Sequence, residues 1–301
     1  MAALDLGLRP GRLTMSTPAD RTDQERPAGA AADSSTPDRY THGHHDSVLR
    51  SHRWRTAENS AGYLLGSLRP GMDVLDVGCG PGTITIDLAR LVAPGRALGI
   101  ERAEGVLDEA RAAAGSAGVA NVAFRVGDAY ALDLDDGSFD VVHAHQVLQH
   151  LTNPVAALVE MRRVLRPGGL LAVRDSDYGA FTWFPLDPVL GRWLALYHRV
   201  TERNGAEADA GRRLRSWVHA AGFADVTYTT STWTFADEGD RAWWGDLWAE
   251  RAVASAFAEQ AVEYGLADRV ELEAIADAWR GWAADPEGLL TLVHGEVLAR
   301  R

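Results

Sequence analysis

A glycine-rich turn next to an acidic residue is the part of the sequence best suited to bind a ligand. Gly78, Gly80 and Gly82 follow a largely apolar run over residues 72–77. Because glycine has no Cβ, such a turn can bend sharply and bring its backbone against a ligand. The pattern predicts a buried strand, this turn, and a helix that is capped by Thr83.

Two carboxylates limit which ligand the turn can hold. A dinucleotide fingerprint, Gly-x-Gly-x-x-Gly, requires glycine where this chain has Thr83. Asp76, two residues before the first glycine, would repel a pyrophosphate but suits a ligand with an ammonium and a sulfonium group. Glu101 ends the next predicted strand and is placed to accept both hydroxyls of a ribose. The two acids therefore favour a ligand that has a ribose and a positive charge but no phosphate. S-adenosylmethionine is such a ligand.

The motifs that follow this turn resemble those of the class I S-adenosylmethionine-dependent methyltransferases, most of all the branch around the ubiquinone and menaquinone C-methyltransferases. The resemblance spans roughly residues 71–173. Besides the glycine turn and Glu101, it is carried by Val126-Gly127-Asp128-Ala129, by Phe139-Asp140-Val141-Val142 leading into His143-Ala144-His145-Gln146, and by Leu165-Arg166-Pro167-Gly168-Gly169. It implies an α/β fold with a Rossmann-like, doubly wound sheet of seven strands, a helical N-terminal lid and a helical insertion before the last strand.

The resemblance, together with the residue types, also defines a cofactor site for S-adenosylmethionine. Asp128 is expected to hydrogen-bond the adenine amino group, and Arg55 to pair with the methionine carboxylate. The complete predicted site consists of Tyr40, Arg55, Asp76, Gly78, Cys79, Gly80, Gly82, Thr83, Glu101, Arg102, Gly127, Asp128, Ala129, His145 and Gln146.

Methyl transfer is an in-line displacement, so alignment in a dry pocket can supply most of the catalysis, and a base is needed only if the acceptor loses a proton. His145 follows the fourth predicted strand and is the first candidate base; a structural hydrogen bond is the alternative. His45 and His52, seven residues apart, are predicted to share a helical face that points at the cleft. Tyr178 or Asp175 could position an amine or hydroxyl acceptor, or belong to a solvated loop.

Tryptophans after residue 180 fall mostly at helical spacing, which indicates core packing. Trp183, Phe184 and Trp243 or Trp244 would nevertheless form an aromatic-walled pocket if the C-terminal helices cover the acceptor. The histidines at 42, 44, 45 and 52 have no cysteine nearby, so no metal site is predicted.

Composition excludes several classes of protein. The net charge of −12 and the lack of a Lys/Arg-rich stretch argue against nucleic-acid binding. No apolar run reaches the roughly 18 residues that a membrane span needs, and residues 1–14 do not resemble a signal peptide. A single cysteine, Cys79, argues against a disulfide framework and is consistent with a cytoplasmic protein.

The chain is predicted to divide into five parts: a disordered tail (1–38), a helical lid (39–70), the methyltransferase core (71–236), a helical insertion (237–286) and a final antiparallel strand (287–301). The insertion is expected to hold one helix over residues 242–264 and another behind the capping box Asp268-x-x-Glu271. One strand is predicted before the insertion, at residues 226–235, and one after it, at residues 289–298.

The sequence thus predicts an enzyme that methylates N, O or C of a small, apolar or aromatic acceptor. A peptide or other macromolecule as acceptor, or a non-catalytic protein that binds S-adenosylmethionine, are the alternatives. A homodimer is possible.

Overall fold

A computed structural model describes residues 38–43 and 45–301. The predicted disordered tail lies outside the described residues except at Asp38. The Asp38 carboxylate accepts hydrogen bonds from the Tyr130 hydroxyl (3.1 Å) and from Thr152 N (2.8 Å). These hydrogen bonds tie Asp38 to the core.

An eight-stranded sheet forms the centre of the described chain. Its strands are β1 (Val74–Val77), β2 (Ala97–Glu101), β3 (Val122–Val126), β4 (Phe139–His145), β5 (Leu165–Ser176), β6 (Thr182–Phe184), β7 (Asp225–Phe235) and β8 (Leu289–Arg300). The order is β3-β2-β1-β4-β5-β8-β6, with β7 on the other edge of β8. Strands β1 to β5 pair in parallel, whereas β8 runs antiparallel to β5, β6 and β7.

Helices flank this sheet and confirm the predicted Rossmann-like α/β class. They are α1 (Asp46–Arg53), α2 (Ala57–Leu65), α3 (Thr83–Val92), α4 (Glu104–Ser116), α5 (Pro154–Val164), α6 (Pro188–Arg203), α7 (Ala210–Ala220), α8 (Glu238–Ala254), α9 (Ala256–Glu263) and α10 (Arg269–Ala284). The eighth strand, beyond the seven expected, is the short β6, which pairs with the beginning of β8. None of the helices in the described ranges combines the length and apolarity that a bilayer crossing requires.

Several helix ends differ from the sequence-based expectations because other residues cap them. His45 caps α1, since its side chain accepts a hydrogen bond from Ser47 N. Gly82, at φ 78°, precedes α3 where Thr83 was expected to do so. The single helix predicted over 242–264 is interrupted at Ser255, whose extended backbone ends α8 and whose hydroxyl accepts from Phe257 N to begin α9. A side-chain acceptor at such a position, Nδ1 of His45 or Oγ of Ser255, replaces the missing intrahelical partner of a backbone N–H.

Four clusters of buried apolar side chains hold the described layers together. Strands β1, β4 and β5 are buried on both faces, as parallel strands between helix layers are. In the C-terminal half, α6, α8 and α10 bring Trp193, Trp248 and Trp279 into one fully buried cluster. The Trp193 ring lies edge-on to the other two, with centroids 4.7 and 4.9 Å away. This aromatic core fixes α8, which forms one wall of the site described next.

Candidate functional site

A cavity of about 490 Å³ lies at the carboxyl ends of the parallel strands. Small-molecule sites commonly measure about 300–1,000 Å³ and occur at this edge of doubly wound sheets. The turns after β1, β2, β3 and β4 form its floor, and the remaining walls come from the N-terminal segment, from the end of β5 and the residues after it, and from β7, β8 and α8. Every residue of the predicted site except Gly82 and His45 lines this cavity.

The glycine turn follows β1, as expected, but its three glycines serve different purposes. Gly78 and Gly80 line the cavity with positive φ values of 70° and 53°. A Cβ on Gly78 would lie 2.4 Å from Val147 Cγ2, so that position also needs glycine for packing. Gly82 does not line the cavity; a Cβ there would lie 2.8 Å from the Phe124 ring. Its predicted place in the cofactor site is therefore corrected: it allows α3 to begin against β3.

Glu101 is held by backbone groups at the edge of the cavity. Its Oε1 accepts from Arg102 N (2.8 Å) and Ala103 N (3.2 Å), and its Oε2 from Gly80 N (3.3 Å). A carboxylate has about four acceptor positions, so Glu101 keeps one, on Oε2, for a ligand hydroxyl. Asp128 lines the same end and uses one oxygen to accept from Tyr130 N (2.9 Å).

Asp76 lies at the base of the cavity and is almost completely buried. His143 Nδ1 donates to its Oδ1 at 2.7 Å, and the Thr85 hydroxyl donates to its Oδ2 at 2.5 Å. Both carboxylate oxygens are therefore oriented by neighbouring secondary-structure elements, β4 and α3. Sequence reasoning missed these two partners, because neither residue is adjacent to Asp76 in the chain.

Gln146 joins three distant parts of the chain where β4 ends. Its backbone has φ 54°, a left-handed conformation that is unfavourable for a residue other than glycine. Its side-chain oxygen accepts from Arg55 Nη2 (2.6 Å), and its amide nitrogen donates to Ser176 Oγ (2.9 Å) and His294 Nε2 (3.0 Å). These contacts fix the residue that follows the candidate base.

His145 is buried, and neither of its ring nitrogens has a hydrogen-bond partner among the described residues. Burial lowers the pKa of His145 well below its ordinary value, so the imidazole is neutral near pH 7. Trp233 of β7 lies 5.7 Å away between ring centroids. A neutral imidazole with a free nitrogen at a cavity wall can accept a proton or a hydrogen bond from a ligand.

The N-terminal segment contributes Tyr40, His52 and Arg55 to the cavity. His45 does not reach it, because its side chain caps α1 and therefore does not share the helical face of His52. This corrects the prediction for His45 as a catalytic residue; His52 occupies the expected position. His44 lies outside the described residues. Burial lowers the pKa of Arg55 to about 10, and its guanidinium carbon lies 5.8 Å from the Trp233 ring centroid.

The residues after β5 differ from one another in their placement. Tyr178 lines the cavity, stacks on Tyr197 with centroids 3.9 Å apart, and places its hydroxyl 3.4 Å from His42 Nε2. Asp175 does not line the cavity but is fully buried, and its Oδ1 accepts from Gln149 N at 3.1 Å. Asp175 therefore does not position an acceptor directly; it supports the turn that follows Gln146.

The aromatic wall of the cavity is built from other residues than most of those expected. Trp183 and Phe184 are on β6 away from the cavity, and Phe184 is 54% exposed. Trp244 lines the cavity, whereas its neighbour Trp243 does not. Phe181, Trp233 and Leu292 complete the wall, and sequence reasoning missed them. Within the described residues, no group of three or more His, Cys, Asp or Glu side chains is arranged to hold a metal ion.

Comparison with known proteins identifies the family. Residues 68–229 match the methyltransferase domain family. An uncharacterized methyltransferase of Schizosaccharomyces pombe is 33% identical over 270 residues, covering 87% of this chain and 96% of that protein. A demethylmenaquinone methyltransferase of Lactococcus lactis is 32% identical over 171 residues, or 52% of this chain and 68% of the relative. The crystal structure of Bacillus subtilis YcgJ has the same fold, with a TM-score of 0.55, 18% identity, and coverage of 81% of this chain and 98% of YcgJ.

The chain therefore belongs to the S-adenosylmethionine-dependent methyltransferases, and its cofactor is S-adenosylmethionine. The predicted family, reaction class and cofactor are confirmed. The similarity to a demethylmenaquinone methyltransferase agrees with the predicted branch.

Proposed function

We propose that this methyltransferase transfers the methyl group to N, O or C of a small, apolar or aromatic acceptor. The observation that carries the proposal is the composition of the cavity wall away from the glycine turn. Phe181, Trp233, Trp244 and Leu292 form a mainly apolar surface next to Tyr178. Aromatic and apolar walls with a few polar groups are typical of sites for small ligands.

The opposite end of the cavity suits the cofactor. Glu101 would accept the ribose hydroxyls, and Asp128 would accept a hydrogen bond from the adenine amino group. Arg55 would pair with the methionine carboxylate, since its guanidinium has a neutral partner, Gln146, in the described structure. In this arrangement the cofactor's reactive methyl group would face His145 and the aromatic wall.

His145 is proposed as the base when the acceptor carries a proton. Its ring is neutral, and both nitrogens lack partners among the described residues. Tyr178 would orient the acceptor; in support of this role, it lines the cavity together with His42, whose Nε2 lies 3.4 Å from its hydroxyl. If the acceptor is already deprotonated, alignment and exclusion of water are sufficient, and no base is required.

We further propose that residues 39–70 close over the cofactor and that residues 237–286 cover the acceptor. In support of this, Arg50 of α1 pairs with Glu250 of α8, and Arg251 donates to Ser47 O at 3.0 Å, so these two segments contact each other. The acidic net charge supports the proposal that no nucleic acid is bound. Action in the cytoplasm and a possible homodimer also remain proposals.

The test is transfer of radiolabelled methyl groups from S-adenosylmethionine into a lysate of the source organism that is fractionated by molecular size. We expect label in the small-molecule fraction with the full chain and much less with Glu101→Ala, which weakens the cofactor site. Label that stays with protein or nucleic acid would contradict a small acceptor and support the macromolecular alternative.

A further inference from the structure

Helix α8 contributes two residues to the cavity lining that each carry a hydrogen-bond donor without an acceptor. Trp244 and Arg251 are seven residues apart and therefore lie on one helical face. Both line the cavity, although only 5% of Trp244 and 4% of Arg251 is exposed. Trp244 Nε1 and Arg251 Nε are buried and have no hydrogen-bond partner among the described residues. A ligand atom that accepts from either donor would supply the hydrogen-bond partner that it lacks.

The charge of Arg251 is not balanced by a carboxylate in the described part of the chain. Its Nη2 donates to Ser47 O (3.0 Å) and Ser51 Oγ (3.2 Å), and its guanidinium carbon lies 4.6 Å from the Trp248 ring centroid. All of these partners are neutral. Arginine stays protonated in proteins, and a buried charge without a counter-ion is costly. An anion in the cavity would remove that cost.

The acids that line the cavity have other partners. Asp76 pairs with His143, Glu101 accepts from backbone N–H groups, and Asp128 accepts from Tyr130 N. The fourth lining acid, Asp38, accepts from the Tyr130 hydroxyl. None of the four forms a salt bridge with Arg251 or Arg55. The α8 side of the cavity therefore carries positive charge.

The cofactor would neutralise only part of the positive charge on this side of the cavity. Under the proposed function, its carboxylate pairs with Arg55, and its sulfonium adds a positive charge rather than a negative one. Arg251 is then left without a counter-ion beside the aromatic wall. A planar carboxylate can accept from a guanidinium and from an indole N–H together, while the apolar body of the same molecule packs on Trp233 and Phe181.

We propose that the methyl acceptor is a carboxylic acid with an aromatic or apolar body, and that Arg251 and Trp244 bind its carboxylate. The inference rests on the proposed function, because it assigns Arg55 to the cofactor. It makes Arg251 a specificity-determining residue; the alternative is that Arg251 only ties α8 to α1 through Ser47 and Ser51.

The test compares 2-naphthoate with its neutral counterpart 2-naphthamide by calorimetry, using the full chain saturated with S-adenosylhomocysteine. We expect the carboxylate to bind about tenfold tighter or more, which is the usual effect of a charge-assisted hydrogen bond. Arg251→Gln should remove this preference. The matched control Arg50→Gln should keep it, because Arg50 pairs with Glu250 and does not line the cavity.

A second variant protects the test against misfolding of Arg251→Gln. Trp244→Phe keeps an aromatic ring but loses the N–H, and should weaken binding of 2-naphthoate by about fivefold with little effect on 2-naphthamide. Naphthoate that binds no tighter than naphthamide, including no detectable binding of either, would overturn the inference. So would an unchanged preference in both variants. Failure of the wild-type chain to bind S-adenosylhomocysteine would instead count against the proposed function, since that measurement comes first and involves no acceptor.

Discussion

Replacing Asp175 by asparagine is expected to stabilise the protein by an amount that grows as the pH rises. The Asp175 carboxyl is fully buried, its Oδ1 accepts from Gln149 N at 3.1 Å, and its Oδ2 has no hydrogen-bond partner among the described residues. Burial raises the pKa of Asp175 to about 8. The native side chain is therefore neutral at pH 7, as asparagine is.

The magnitude follows from proton linkage. In the unfolded chain this carboxyl titrates near pH ~3.9, whereas in the folded protein it holds its proton up to about pH 8. Between these values the unfolded state binds fewer protons, so the free energy of unfolding falls by about 1.4 kcal/mol per pH unit. The stability that this group contributes is complete below the unfolded pKa and is lost by about pH 8. The asparagine variant does not lose this stability. The free energy of unfolding of the variant minus that of wild type should therefore grow by about 2.7 kcal/mol from pH 5 to pH 7.

Urea unfolding at pH 5, 6 and 7, followed by tryptophan fluorescence and circular dichroism, measures this difference. Other groups titrate alike in both proteins, and their contributions cancel. Asp133→Asn, in an exposed loop, serves as the control and should show a difference that does not change with pH. A constant difference between Asp175→Asn and wild type from pH 5 to pH 7 would show that Asp175 is ionised in the folded protein, and would refute the reasoning.

Three further substitutions test the site. Glu101→Ala should weaken S-adenosylhomocysteine binding by about 1–3 kcal/mol, or about five- to 150-fold in Kd, because hydrogen bonds to the ribose are lost. The control is Glu104→Ala, which changes an exposed neighbour. If calorimetry gives both variants the same Kd, Glu101 does not bind the ribose. Gly82→Ala should lower the free energy of unfolding by about 1–3 kcal/mol, because its Cβ would overlap the Phe124 ring at a positive φ; an unchanged urea midpoint would contradict this. His145→Ala should lower kcat about tenfold or more with little change in cofactor Kd. The factor by which kcat falls should be the same at pH 6 and pH 8, since burial lowers the pKa of this ring well below its ordinary value. A loss of kcat that disappears at pH 6 would show that the ring is protonated there.

The sequence was most informative where the chemistry is local. The glycine turn and Glu101 were found from their spacing along the chain, because a parallel strand, a tight turn and a helix N-terminus require particular residue types in a short stretch. Strand β7 was found from alternation and β-branched residues, whereas β8 was placed because the related fold requires a last antiparallel strand. The short β6 was missed, since three residues are too few to show alternation.

Contacts between distant segments could not be found in this way. The placement of His45 depends on a local contact at the start of α1, where its side chain accepts a hydrogen bond from Ser47 N and does not line the cavity. Gln146 meets Ser176 and His294 because β5 and β8 pair those two residues in register. Arg251 reaches the cavity only because the tryptophan core fixes α8. None of these arrangements has a pattern in the local sequence.

The position of β8 in the chain affects the order in which this enzyme folds. This strand follows all of its partners in the chain, yet it pairs with β5 and β6 on one edge and with β7 on the other. Until it is in place, β7 has no hydrogen-bonded partner among the described strands, and Gln146 lacks His294. Contacts of such long sequence separation form slowly. We therefore expect the nascent chain to form its nucleoside-binding turn early and to gain methyltransferase activity only when β8 pairs with its neighbours.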